Sequence, residues 1–176
     1  GDGAGQHPTQ ALLDLFTLHR KFNKLDGLRV AMVGDLRYGR TVRSLSYLLA
    51  KYKNVKLTFV APPVCQMHED IKAYLDRHNV TWEEQEDLAK VLPKVDCVYM
   101  TRIQKERFLD MKEYENANNV YRLTAEGVQQ MQRDAIIMHP LPRVGEIDPA
   151  VDDDPRAQYF DQARNGVVVV TCCDVE

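Results

Sequence analysis

Residues 29–45 read RVAMVGDLRYGRTVRSL and change hydrophobic period halfway through, which constrains the fold more than any other stretch. Arg29 to Val33 have the apolar, β-branched run of a short buried strand, and Thr41 to Tyr52 have the spacing of an amphipathic helix. Gly34 and Gly39 sit where the chain must turn off a strand end and into a helix start. Strand, turn and helix in that order form the unit of an open parallel α/β sheet, in which ligands collect at the carboxyl ends of strands. Arg37, Arg40 and Arg43 crowd this turn, although a helix N-terminus favours negative charge. A bound anion resolves that conflict. Solvation, or pairing with Asp35, is the alternative. The glycines do not have the G-x-G-x-x-G spacing, and Val55 to Val60 runs into Ala61-Pro62-Pro63 with no acidic residue at its end, so a dinucleotide site is not indicated.

The same alternation continues along the chain. His7-Pro8-Thr9-Gln10 opens a helix with Leu12, Leu15, Phe16 and Leu18 on one face, ending near Asn23. Strands are expected at Val55 to Val60, Val80 to Glu83, Val95 to Met100 and Ala135 to Met138, and helices at Met67 to His78, Asp87 to Leu92 and Thr124 to about Arg133. Arg156 to Arg164 reads as helix, with Asn165-Gly166 as its stop. The pattern predicts an α/β fold: a doubly wound, mostly parallel sheet of four to five strands with helices on both faces, Rossmann-like. Residues 1–25 read as a linker helix and 26–176 as the α/β domain proper.

Lys and Arg number 23 against 26 Asp and Glu, a net charge of −3 that argues against nucleic acid or a polybasic membrane surface as partner. No run reaches the ~18 to 20 apolar residues of a spanning helix, and GDGAGQ at the start has no signal-peptide character, so the cytoplasm is the expected location. Cys65, Cys97, Cys172 and Cys173 lack metal-site spacing and read as reduced packing residues, with no metal or cofactor implied. Val167 to Glu176 reads as an apolar, β-prone tail without a partner element, and the chain opens on Gly close to an ordered motif. The sequence therefore reads as a piece of something larger.

Three strand ends carry polar groups: Arg40 after the first strand, Arg102 and Gln104 after Met100, and His139-Pro-Leu-Pro-Arg143 after Met138. A doubly wound sheet gathers such ends on one edge. Each residue has a plain structural explanation by itself, as an exposed ion pair, a satisfied histidine or a loop stiffener. Together, separate arginines suit a ligand with two carboxylates, or a carboxylate and a phosphate. His7 beside Gln10 offers hydrogen bonds to a carbonyl and an amide of a small planar substrate, where a helix-capping histidine is the structural alternative.

His7-Pro-Thr-Gln10, Met32 to Leu45, Met100-Thr-Arg-Ile-Gln-Lys-Glu-Arg-Phe108 and Met138-His-Pro-Leu-Pro-Arg143 stand in the order of the signature segments of aspartate carbamoyltransferase, and residues 1 to 166 resemble its aspartate-binding half. The resemblance implies that His7 polarises the carbonyl of carbamoyl phosphate, that Gln10 holds its amide, and that the Leu141 carbonyl fixes the reacting groups. It implies that Arg40, Thr41, Arg102 and Gln104 seat L-aspartate and that Arg107 makes a domain-closing ion pair. The related ornithine enzymes carry cysteine in place of Pro140 and do not use the paired arginines. The resemblance implies no metal or cofactor, and it implies a homotrimer in the full-length enzyme. The family's carbamoyl-phosphate domain has no counterpart in the sequence. Where family members continue into a long apolar helix after Gly166, this chain reads Val-Val-Val-Val-Thr-Cys-Cys. A non-catalytic α/β module used for assembly or regulation within a larger protein is the competing reading.

Overall fold

The computed structural model describes residues 5–103, 110–112, 114–115 and 121–173, without the side chains of Val170, Cys172 and Cys173. Its centre is a sheet of five strands: β1 (Arg29–Val33), β2 (Lys56–Val60), β3 (Thr81–Gln85), β4 (Cys97–Met100) and β5 (Ile136–Met138). All four pairings are parallel, and the spatial order is β3-β2-β1-β4-β5. The helices that frame the sheet among the described residues include α1 (Pro8–Phe22), α2 (Arg40–Leu49), α3 (Glu69–Arg77), α4 (Leu88–Val91), α5 (Ala125–Gln129) and α6 (Tyr159–Cys173).

β1, β2, β4 and β5 are buried along nearly their whole length, as their near-continuous apolar runs require, whereas the polar edge strand β3 is exposed to half-buried. Val30 and Met32 point into a core with Leu18, Leu45, Leu49 and Ile71. Ala31 and Val33 point the other way, into a core with Val91, Leu123, Val128 and Tyr159. Period-two alternation along β1 thus divides one strand between two helical layers. Register is set by pairs such as Val33 with Val60 and Val33 with Met100, and it is pinned by Asp96, which accepts from the Arg29 backbone N–H at 2.8 Å and from its guanidinium at 2.6 and 3.1 Å.

The chain fills the sheet outward from β1 to β3, then returns to β1's other side with β4 and β5. The strand order therefore reverses between β1 and β4, the point at which a crevice opens at the carboxyl edge of such a sheet. Gly34 makes this junction tight. Its φ of 112° belongs to glycine, and a Cβ there would lie 2.3 Å from the Thr101 carbonyl oxygen at the end of β4.

Two expectations from sequence are corrected. The last helix does not stop at Asn165-Gly166, and Val167 onward is not a β-prone tail: α6 runs unbroken from Tyr159 to Cys173. The reason lies in α1. Asn165 is buried, its Nδ2 donates to Thr17 Oγ1 at 2.9 Å, and its Oδ1 accepts from Arg20 at 2.9 Å. Gly166 meets Leu13, whose Cδ2 would lie 3.3 Å from any Cβ placed there. The pair is a helix-packing surface, and tertiary contact overrides both the stop signal and the weak helix propensity of valine. The helix expected from Thr41 to Tyr52 begins one residue earlier and ends at Leu49, and the one expected to reach Arg133 ends at Gln129.

Candidate functional site

Three segments leaving the carboxyl edge of the sheet enclose a cavity of about 290 Å³. From the β1–α2 turn come Asp35, Tyr38, Gly39, Arg40 and Thr41; from the end of β4, Thr101 and Arg102; from the loop after β5, His139, Pro140, Leu141 and Pro142. His7, at the start of α1, closes a fourth side. The cavity thus lies at the reversal of strand order.

Each wall is held for a local reason. Asp35 accepts from the Tyr38 N–H at 3.0 Å and tightens the turn. Gly39 is the N-cap of α2 and supplies no side-chain bond to its first turn, and Gly39, Arg40 and Thr41 all line the cavity, so the helix start favours negative charge there. His7 caps α1: its Nδ1 accepts from the Gln10 backbone N–H at 3.3 Å, and its own N–H donates to Ser44 Oγ at 2.9 Å, tying it to α2. A backbone N–H can only donate, so the neutral ring carries its hydrogen on Nε2. Burial, reinforced by the Arg40 charge, lowers the pKa of His7 below its ordinary value and favours that neutral form.

The β5 loop is held by Glu146, which sequence reasoning missed. His139 Nδ1 accepts from the Leu141 N–H at 2.8 Å, which leaves Nε2 to donate to Glu146 Oε1 at 2.6 Å. The second carboxylate oxygen accepts from the Val144 and Gly145 N–H groups at 3.1 and 2.9 Å. Burial alone would raise the pKa of this carboxyl, but those donors outweigh it and bring it down to about 2. Leu141 is fixed with φ 49° and a cis bond to Pro142.

His7, Arg40, Thr41, Arg102 and Leu141 therefore line one cavity. Gln10 does not line it: one turn along α1, its side chain donates to Asp14 at 2.8 Å. Gln104 and Arg107 lie outside the described residues. The other arginines of the sequence constellation are spent elsewhere, Arg43 on Asp70 and Arg143 on Asp152. Arg37 packs 5.7 Å from the Tyr38 ring centroid. Asp35, Tyr38 and Thr101 complete the walls; the motif around the first turn contains two of them, but only the strand pairing brings in the third. Among the described residues no cluster of three or more His, Cys, Asp or Glu is placed to hold a metal, and no helix is long and apolar enough to cross a membrane.

Residues 26–172 match the family model of the aspartate/ornithine carbamoyltransferase Asp/Orn-binding domain. The chain belongs to that family. Aspartate carbamoyltransferase of Arabidopsis thaliana, a chloroplastic enzyme, is 56% identical over 172 residues, which cover 96% of this chain and 44% of that protein. The catalytic subunit from Methanothermobacter thermautotrophicus is 52% identical over 169 residues, 96% of this chain and 53% of that subunit. The solved catalytic subunit of M. jannaschii aspartate transcarbamoylase superposes with a TM-score of 0.91 at 48% identity, over 96% of this chain and 55% of that one. A Trypanosoma cruzi aspartate transcarbamoylase, solved with carbamoyl phosphate and aspartate, matches with a TM-score of 0.88 at 37% identity, over 96% and 54%. This Asp/Orn-binding domain thus spans about half the length of the relatives it matches.

Proposed function

We propose that the chain is the aspartate-binding half of an enzyme that transfers a carbamoyl group from carbamoyl phosphate to L-aspartate in pyrimidine biosynthesis. The observation that carries this reading is the convergence of Arg40 and Arg102, from two different strand ends, on one cavity at the switch point of the sheet. Two guanidinium groups around a small cavity suit a dicarboxylate, and α2's first turn adds donors to the same mouth. A cationic ornithine side chain would be repelled there. Thr41 and Gln104 complete the proposed aspartate site.

In the proposed reaction the aspartate amine attacks the carbonyl carbon of carbamoyl phosphate, the C–O bond to phosphate breaks, phosphate leaves, and the amine gives up a proton. The His7 Nε2–H is suited to donate to the oxyanion of the tetrahedral intermediate. Gln10 would bind the carbamoyl amide, and the Leu141 carbonyl would fix the reacting groups. Arg107 is assigned the ion pair that closes the domains. The partner domain carrying the phosphate site would pack on the apolar face where exposed Leu12, Val167 and Val168 lie, with residues 1–25 as the connecting helix, in a homotrimer. Buried, free Cys65 and Cys97 suit a reducing compartment such as the cytoplasm, although the named Arabidopsis relative is chloroplastic.

Titration of the chain with L-aspartate and succinate, followed by ¹H–¹⁵N NMR, tests the assignment. Millimolar binding is expected, with shifts concentrated at the Gly39 to Thr41 and Thr101 to Arg102 amides. Arg40→Ala and Arg102→Ala should each weaken it ~10-fold or more, the loss expected of a charge-assisted hydrogen bond. Unchanged affinity in both variants would remove the dicarboxylate from this cavity.

A further inference from the structure

Beside the cavity lies a buried polar network of which the reaction as described uses only Gln10. Its centre is Asp14, on the inner face of α1 and fully buried. Asp14 Oδ1 accepts from Gln10 Nε2 at 2.8 Å and from Gln162 Nε2 at 2.6 Å, and Oδ2 accepts from the Tyr99 hydroxyl at 2.7 Å. Gln162 Oε1 in turn accepts from the His139 backbone N–H at 2.8 Å. One carboxylate thus joins the elements that carry His7, Arg102 and the β5 loop.

The polarity of this network is forced from one end. The His139 N–H is a donor and nothing else, so Gln162 must turn its oxygen to it and its Nε2 to Asp14. Oδ1 of Asp14 is therefore an acceptor, whether or not Oδ2 carries a proton. Gln10, facing the same oxygen, must present its Nε2 as donor. Its Oε1 has no hydrogen-bond partner among the described residues. A free glutamine amide turns over and offers a ligand either end; this one does not.

We propose that Asp14 is a positioning residue that fixes the Gln10 amide, so that Gln10 meets a ligand only as a hydrogen-bond acceptor and selects one that carries an N–H₂ group. This rests on the function proposed above, in which that group is the amide of carbamoyl phosphate. It adds a reason why an acyl phosphate lacking the amino group, such as acetyl phosphate, fits poorly: the fixed Oε1 then faces a methyl group and loses its partner.

The test uses two substitutions that separate the acceptor from the charge. Asp14→Asn keeps an oxygen for Gln10 and Gln162 and turns its Nδ2 to the Tyr99 hydroxyl oxygen, whereas Asp14→Leu fills the space with no acceptor. In the enzyme that contains both halves, Asp14→Leu should raise KM for carbamoyl phosphate ~10-fold, the loss expected of one hydrogen bond, and Asp14→Asn should stay within about twofold of the parent. In a Gln10→Ala background Asp14→Leu should change that KM no further, because the two act as one unit. Additive effects, or an Asp14→Asn variant as impaired as Asp14→Leu, would overturn the proposal. The Gln10 side-chain amide of the 176-residue chain gives a readout that needs no variant and no turnover. Its hydrogens should exchange with water more slowly than those of an exposed glutamine and show contacts to Tyr99 and Gln162. Free exchange would overturn the proposal even if Asp14→Leu did not fold. Absence of carbamoyl transfer by the parent enzyme would instead count against the proposed function and leave the amide orientation standing.

Discussion

Glu146 shows what a single side chain contributes to this site. It receives the His139 ring hydrogen and two backbone N–H groups, and through His139 it sets the Leu141 backbone. Its carboxyl is held at about 2 against an ordinary 4.5, so the folded state prefers the ionised form. The sign follows: this contribution is complete above about pH 4.5 and is lost as pH falls from there towards about 2. Two and a half pKa units correspond to about 3 kcal/mol. Glu146→Gln keeps one acceptor but points N–H₂ at backbone donors, and should cost about 1 to 3 kcal/mol at neutral pH, read from urea denaturation. The penalty should shrink below pH 4, where the parent loses its own advantage, and a penalty constant with pH would contradict this account. His139 was legible in the sequence and its partner was not, since the two are separated by a loop whose course no periodicity predicts. The arginines divide for the same reason. Arg40 and Arg102 follow strand ends and reach the cavity, while Arg43 and Arg143 lie equally close in sequence but meet Asp70 and Asp152, partners that only the packing brings near.

The elements of the sheet were the most legible feature, because buried parallel strands carry apolar runs between helices of a different period. α6 was misread because its information is not local. Asn-Gly followed by four valines is a stop signal in isolation, and it becomes helix only because α1 offers Thr17, Arg20 and Leu13 as partners. Asn165→Ala tests this. The substitution raises intrinsic helix propensity but leaves Thr17 and Arg20 without Asn165, so thermal or urea denaturation should show a net loss of about 1 to 2 kcal/mol. Far-ultraviolet circular dichroism of the folded variant should keep its helix content. Equal or greater stability would mean that Asn165 does not join α6 to α1. α4 was read to within one residue at each end, and it passes directly into a 3₁₀ turn at Leu92–Lys94 that contains Pro93, whereas α5 is shorter than the sequence pattern suggested.

At the scale of the whole molecule, the order β3-β2-β1-β4-β5 decides where chemistry can occur, because it sets the ends of β1, β4 and β5 side by side. Arg40 and Arg102 lie 62 residues apart and Arg102 and His139 only 37, and these motifs carry no sign of their adjacency except through the rules of parallel sheets. The domain spans about half of each relative named above, and the proposed reaction needs a second substrate held at reacting distance. Well-oriented reactants gain ~7 to 11 kcal/mol over free encounter, which one half-site cannot supply. The proposed function makes this chain the aspartate-binding half of a carbamoyltransferase. Its most direct test is carbamoylaspartate formation by the purified chain, by a separately expressed carbamoyl-phosphate domain, and by the two together. The account predicts product only in the mixture, abolished there by Arg102→Ala; turnover by the lone chain, or none in a mixture shown to associate, would contradict it.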